Sequence, residues 1–128
     1  MYYLRCGVLT RMMNCLTGKV ALVSGSSGGI GLAISKALAS HGIKVVGLGR
    51  RIDKLHEATA EIGKDKFFSI ECDVTNEEDI FKVFKWIDEK FGRLDILVNN
   101  AGVLSSTPIL GKNIYSHRYM VFCEYAWI

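Results

Sequence analysis

From Lys19 onward, short apolar runs rich in β-branched residues alternate with segments whose apolar residues recur at helical spacing. Val20 to Ser24 is too short for a helix and reads as a buried strand. Ile30, Ile34, Ala37 and Leu38 then repeat at three- and four-residue intervals up to Gly42, a residue suited to end a helix. Lys44 to Leu48 is a second strand. Ile52, Leu55, Thr59 and Ile62 form a second helical stripe closed by Gly63, and Phe67 to Cys72 is a third strand. The longest stripe is Ile80, Val83, Phe84, Ile87 and Phe91, preceded by Thr75 and Glu78 at the T-x-x-E spacing of a capping box and closed by Gly92. Asp95 to Val98 is a fourth strand leading into Asn99, Asn100, Ala101 and Gly102.

Strict alternation of about four strands and three helices predicts right-handed βαβ crossovers. The expected fold class is α/β: a partial, Rossmann-like, doubly wound parallel sheet. Past Gly102 the alternation stops. Leu104 to Lys112 reads as loop, and Met120 to Ile128 is an apolar, aromatic tail with Glu124 as its one charge. That tail is open to three readings: an edge strand, a short helix or an unstructured end. The expected organisation is an N-terminal extension over residues 1–16, a ligand-binding half over 17–105 and an atypical tail over 106–128.

Composition narrows the class. With 128 residues, 49% of them hydrophobic, and a single proline, the chain is sized for one globular domain and excludes collagen-like or disordered types. The net charge of +3 conceals an asymmetry, because every Asp and Glu lies at or beyond Asp53 while Arg5, Arg11, Lys19, Lys36, Lys44, Arg50 and Arg51 precede it. An anionic ligand is therefore sought in the first half. All five tyrosines lie near the ends, with none between residues 4 and 114. Either chance or a different origin for the ends accounts for this.

Cys6, Cys15, Cys72 and Cys123 form no C-x-x-C pair and have no His at ligand spacing, so no metal site is expected and a reducing compartment is the default. No apolar run approaches the roughly 18 residues that span a bilayer. A cytoplasmic location is expected; Arg5 and Arg11 in an acid-free leader keep a mitochondrial address as the alternative. The basic half lacks the interleaved aromatics of nucleic-acid binders, so no nucleic-acid partner is expected. His41, His56 and His117 have no recognisable nucleophile partner and read as surface residues.

Candidate chemistry concentrates in Ser24-Gly25-Ser26-Ser27-Gly28-Gly29-Ile30-Gly31, between the first strand and the first helix. A phosphate approaching a helix N-terminus needs backbone amides aimed at it and no Cβ in the way, which glycines supply. The spacing is G-x-x-x-G-x-G, at Gly25, Gly29 and Gly31. About 20 residues past such a loop, an acid binds a ribose 2′-hydroxyl and an arginine accepts a 2′-phosphate. Here the second strand ends in Gly49-Arg50-Arg51, with no acid until Asp53, so NADP(H) is favoured over NAD(H).

These residues resemble the short-chain dehydrogenase/reductases. Residues 24–31 are similar to that family's T-G-x-x-x-G-I-G loop, with Ser24 in place of threonine; Cys72-Asp73-Val74 is similar to its D-V step, and Asn99-Asn100-Ala101-Gly102 matches its N-N-A-G. Gly49-Arg50-Arg51 resembles its NADP-preferring members. The resemblance covers about residues 17–105. It implies a cofactor site built from Gly25, Gly29 and Gly31 at the pyrophosphate, with Ser27 and Ile30 of the same loop also binding cofactor, Arg50 and Arg51 at the 2′-phosphate, Asp73 at the adenine amine with Val74 packing nearby, and Asn99, Ala101 and Gly102 on the ribose side. It also implies hydride transfer between nicotinamide and an alcohol or carbonyl.

The family's catalytic serine and Y-x-x-x-K pair have no counterpart here. Tyr115 is followed four positions on by Tyr119, and Tyr119 by Cys123; Ser105 and Ser106 come too early. No catalytic residue is therefore assigned, and the expectation is an NADP(H)-binding portion without turnover, able to take a small alcohol or carbonyl substrate only if completed. The alternative is a non-catalytic interaction product that self-associates or pairs with a full-length relative.

Overall fold

Strand β1 (Val20–Ser24), buried at every residue, is an inner strand of a four-stranded parallel sheet. The computed structural model describes residues 16–102, 105–109 and 112–116. Strand β1 pairs with β2 (Lys44–Gly49) on one side and β4 (Ile96–Val98) on the other, while β3 (Phe67–Glu71) lies beyond β2. The order β3-β2-β1-β4 follows from crossovers through α1 (Gly29–Ser40), α2 (Ile52–Ile62) and α3 (Glu77–Phe91). Chain order reverses direction at β1, between β2 and β4, and in doubly wound sheets ligands bind at the carboxyl ends of the strands beside that point.

The apolar runs of β1 and β2 are continuous because both sheet faces are covered. Ala21, Val23 and Val45 pack with Ala39, Leu55 and Ala58 of α1 and α2; Val20, Leu22, Val46 and Leu48 pack with Val83 and Ile87 of α3. On the first face the Phe67 ring lies directly over Gly47, where a Cβ would collide with it. No helix among the described residues is long and apolar enough to cross a membrane.

Three local readings need correction. In α1 the buried face is Gly31, Ser35 and Ala39, whereas Ile30, which opened the expected stripe, is 73% exposed. The helix approaches the β1 turn so closely that only small residues fit beneath it. The cap of α3 is Asn76, whose side chain accepts from Glu78 N at 3.0 Å; Thr75 instead donates its hydroxyl to Asp73 at 2.7 Å. The capping box therefore does not form, because Asp73 takes the Thr75 side chain.

The third correction concerns residues 104–112, expected as loop. They contain β5 (Ser105–Ile109), which pairs antiparallel with β6 (Lys112–Ser116) in a separate two-stranded sheet. Thr107, Ile109, Ile114 and Tyr115 are good strand formers, and at this length two runs can pair without adding to the helical alternation. The 120–128 tail lies outside the described residues.

Candidate functional site

Ser24 ends β1 with its hydroxyl turned toward the chain that leaves β4. Its Oγ accepts from the backbone N–H groups of Asn100 and Ala101, each at 2.9 Å, and donates to Val98 O at 3.4 Å. Asn100 returns the contact, its Nδ2 donating to Ser24 O at 3.1 Å. Two segments some 75 residues apart in sequence are thus held edge to edge.

The turn after Ser24 is shaped by its glycines. Gly25 has φ +70°, and a Cβ there would stand 3.0 Å from both Ala101 Cα and Asn100 Nδ2. Gly31 has no room for a Cβ, which would fall within contact distance of the Gly25 carbonyl oxygen and 2.5 Å from Asn100 Nδ2. Beneath the turn, the buried Ser26 donates its hydroxyl to Val23 O at 2.7 Å, and Ser35 donates to Gly31 O at 2.8 Å. The turn is stitched from below, leaving its outer side free.

Helix α1 starts from this turn with Gly28 as its N-cap, no side-chain acceptor and no acid in its first turn. Its first N–H groups and the positive end of its dipole are therefore uncompensated by the protein, the arrangement that takes an anion. Across from it, β2 ends at Gly49 and delivers the exposed Arg50 and Arg51. The Arg51 guanidinium donates to Ser27 Oγ at 3.2 Å.

The third wall comes from the end of β3. Asp73 accepts from Thr75 N at 3.0 Å and from the Thr75 hydroxyl at 2.7 Å; these two bonds, assisted by the Arg50 charge, hold its carboxyl below the usual carboxylate range. Cys72 beside it is 2% exposed. Burial, with the Asp79 and Asp73 charges, pushes its thiol up to about 11, so it stays neutral.

These walls enclose a cleft of about 440 Å³. Of the residues singled out from the sequence, Gly25, Ser27, Arg50, Arg51, Asp73, Val74, Ala101 and Gly102 line it. Gly29, Ile30, Gly31 and Asn99 do not: Ile30 points to solvent, Gly31 packs under the turn, and Asn99 lines a small separate cavity of about 30 Å³ beside Ser24. The cleft also takes Gly28, Gly49, Cys72, Thr75 and Asn100. Asn100 and Cys72 adjoined recognised positions, while Thr75 was hidden by its resemblance to a helix cap.

Chemically, the cleft offers orphan helix amides and two guanidinium groups to anionic oxygens, and a carboxylate to a hydrogen-bond donor. Gly25 and Gly31 are sites that any Cβ would fill. A nucleotide carrying phosphates and an exocyclic amine fits this donor set.

Residues 19–116 match the family model described as short chain dehydrogenase. The chain is 49% identical over 104 residues to farnesol dehydrogenase of Aedes aegypti, covering 79% of this chain and 42% of that protein. It is 38% identical over 113 residues to dehydrogenase/reductase SDR family member 11 of Gallus gallus, covering 85% and 44%. Among solved structures it superposes on L-sorbose reductase from Gluconobacter frateurii, complexed with NADPH and L-sorbose, with TM-score 0.70 and 38% identity over 76% of this chain and 38% of that one. A metagenomic short-chain oxidoreductase in complex with NADP gives TM-score 0.67 and 40% identity over 70% and 41%. The chain spans less than half the length of these relatives. The parallel sheet, the glycine turn and these matches together place the chain in the short-chain dehydrogenase/reductase family.

Proposed function

We propose that this chain is the coenzyme-binding portion of an oxidoreductase that moves a hydride between a nicotinamide dinucleotide and an alcohol or carbonyl, and that the coenzyme is NADP(H). One observation carries the choice of coenzyme: β2 ends in Gly49-Arg50-Arg51 at the rim of the cleft, with Arg51 bonded to Ser27 and no carboxylate at the strand end. A carboxylate there would accept from a ribose 2′-hydroxyl and repel a 2′-phosphate, whereas guanidinium groups attract the phosphate. Uncapped amides at α1 serve the pyrophosphate, and Asp73 serves the adenine amine.

When bound, the nicotinamide supplies the hydride chemistry. This chain's own residues bind and orient the adenosine and phosphates. The 128 residues hold no Tyr-x-x-x-Lys, so by themselves they bind coenzyme without turnover.

Fluorescence titration of the chain with NADPH and NADH tests this reading. NADPH binds more tightly, and replacing Arg50 and Arg51 together by Glu reverses the order. Equal affinity of the unaltered chain for the two coenzymes, or an unchanged NADPH affinity in the double variant, overturns it.

A further inference from the structure

Two adjacent arginines stand at the cleft, and the structure treats them differently. Arg51 NH2 donates to Ser27 Oγ at 3.2 Å, bridging from the end of β2 to the glycine turn 24 residues earlier. Gly28 lies under the same nitrogen, since a Cβ there would be 3.8 Å from it. Gly49 completes the seat: a Cβ at 49 would stand 3.3 Å from Ser27 Cβ and 3.4 Å from its Oγ, so the bare strand end lets Ser27 sit close. Arg50, by contrast, lines the cleft with no side-chain hydrogen bond or ion pair to any described residue.

Resting on the coenzyme reading above, we infer that Ser27 is a positioning residue, seated between Gly28 and Gly49, that makes Arg51 rather than Arg50 the group gripping the 2′-phosphate of the coenzyme. An arginine side chain carries considerable rotamer entropy, part of which is lost on gripping a phosphate. Tethering one nitrogen to Ser27 removes much of that loss before the ligand arrives. A guanidinium has five N–H donors, so the tether leaves four for phosphate oxygens. Arg50, which lines the cleft without such a tether, contributes its charge to both coenzymes alike.

The test is calorimetric titration of the full chain with NADPH, NADH and 2′,5′-ADP, comparing Ser27→Ala, Ser27→Thr, Arg50→Ala, Arg51→Ala and the Ser27→Ala/Arg51→Ala pair. Arg51→Ala cuts the preference for NADPH over NADH by about tenfold or more, and Ser27→Ala cuts it about threefold, as expected for losing a charge-assisted contact and its tether. Ser27→Thr keeps the hydroxyl and the preference. Arg50→Ala weakens both coenzymes and leaves their ratio near that of the unaltered chain. In the Arg51→Ala background, Ser27→Ala has no further effect on 2′,5′-ADP, because the hydroxyl acts through Arg51.

A further loss in that background, an unchanged ratio in Ser27→Ala, or collapse of the ratio in Arg50→Ala alone each overturns the assignment while leaving NADP(H) as the coenzyme. An unaltered chain with no preference between NADPH and NADH overturns the coenzyme reading itself, and this assignment with it.

Discussion

The Ser24 hydroxyl accepts from the backbone N–H of Asn100 at 2.9 Å, joining the end of β1 to the segment that leaves β4. The same oxygen serves Ala101 N–H, so one side chain satisfies two backbone donors that no strand partner reaches. Ser24 is 7% exposed, and its removal leaves those donors without that acceptor. Ser24→Ala is therefore expected to lower unfolding free energy by about 1–3 kcal/mol, the usual cost of unsatisfied buried groups. Ser24→Thr keeps the oxygen and stays within about 1 kcal/mol of the unaltered chain. Urea denaturation of the three proteins measures both.

Gly31 and Gly29 look alike in the sequence motif but fail differently when a methyl is added. At Gly31 the Cβ strikes the Gly25 carbonyl and Asn100 Nδ2, and neither backbone nor the bonded Asn100 can yield without opening the turn. At Gly29 nothing lies within 4 Å and only the left-handed φ of +56° is strained. Gly29→Ala is expected to cost about 1–2 kcal/mol and to keep a measurable coenzyme affinity. Gly31→Ala is expected to abolish coenzyme binding, with a loss of stability near or above about 3 kcal/mol. Paired denaturation and titration experiments separate the two.

The parallel sheet was readable because β1 and β2 are covered on both faces, and such strands appear as unbroken apolar runs punctuated by Gly25, Gly42, Gly49 and Gly63. The cleft was readable in part for the same reason: its residues cluster at strand ends. Ile30 misled because periodicity ranks residues by apolarity, while α1 packs on size, seating Gly31, Ser35 and Ala39 against the turn. Thr75 misled because one hydroxyl can cap a helix or bond Asp73, and only the path of the turn decides. The Arg51 to Ser27 bond had no local signal, since it depends on the register that sets Ser24 beside Leu48.

Cys72 lines the cleft yet is nearly closed to solvent, with its thiol pushed up to about 11. Only thiolate reacts readily, so iodoacetamide at pH 7.5 is expected to spare Cys72 in the folded chain and to label it once urea unfolds the protein. Peptide mapping by mass spectrometry reads the difference. Because the folded value lies above the unfolded one, the neutral thiol's contribution to stability is complete at neutral pH. It is lost as pH rises past about 8.5, where the unfolded chain begins to ionise. Cys72→Ser removes that alkaline decline; native-state labelling at pH 7.5 contradicts the assignment.

Asp95 closes the opposite end of the sheet from the cleft. Its carboxylate accepts from Val20 N at 2.9 Å, from Lys19 Nζ at 3.1 Å and from two nitrogens of Arg93. The bonds from Arg93, then those from Val20 and Lys19, hold its carboxyl well below the usual range, although partial burial opposes them. For a carboxylate depressed on folding, the stability it contributes is fully present above the unfolded value near 4 and is lost as pH falls toward the folded one. The acid limb of the stability curve between about pH 5 and 2 should therefore carry a large Asp95 component, with a smaller one from Asp73. Asp95→Asn keeps the shape but forfeits the charge that serves both Lys19 and Arg93. It is expected to lower stability at pH 7 by about 1–3 kcal/mol and to flatten the acid limb, the difference between the two proteins narrowing steadily as pH falls below about 4 toward the folded value. Urea midpoints taken across that range decide the matter: an acid limb as steep in Asp95→Asn as in the unaltered chain would show that the pH dependence arises elsewhere.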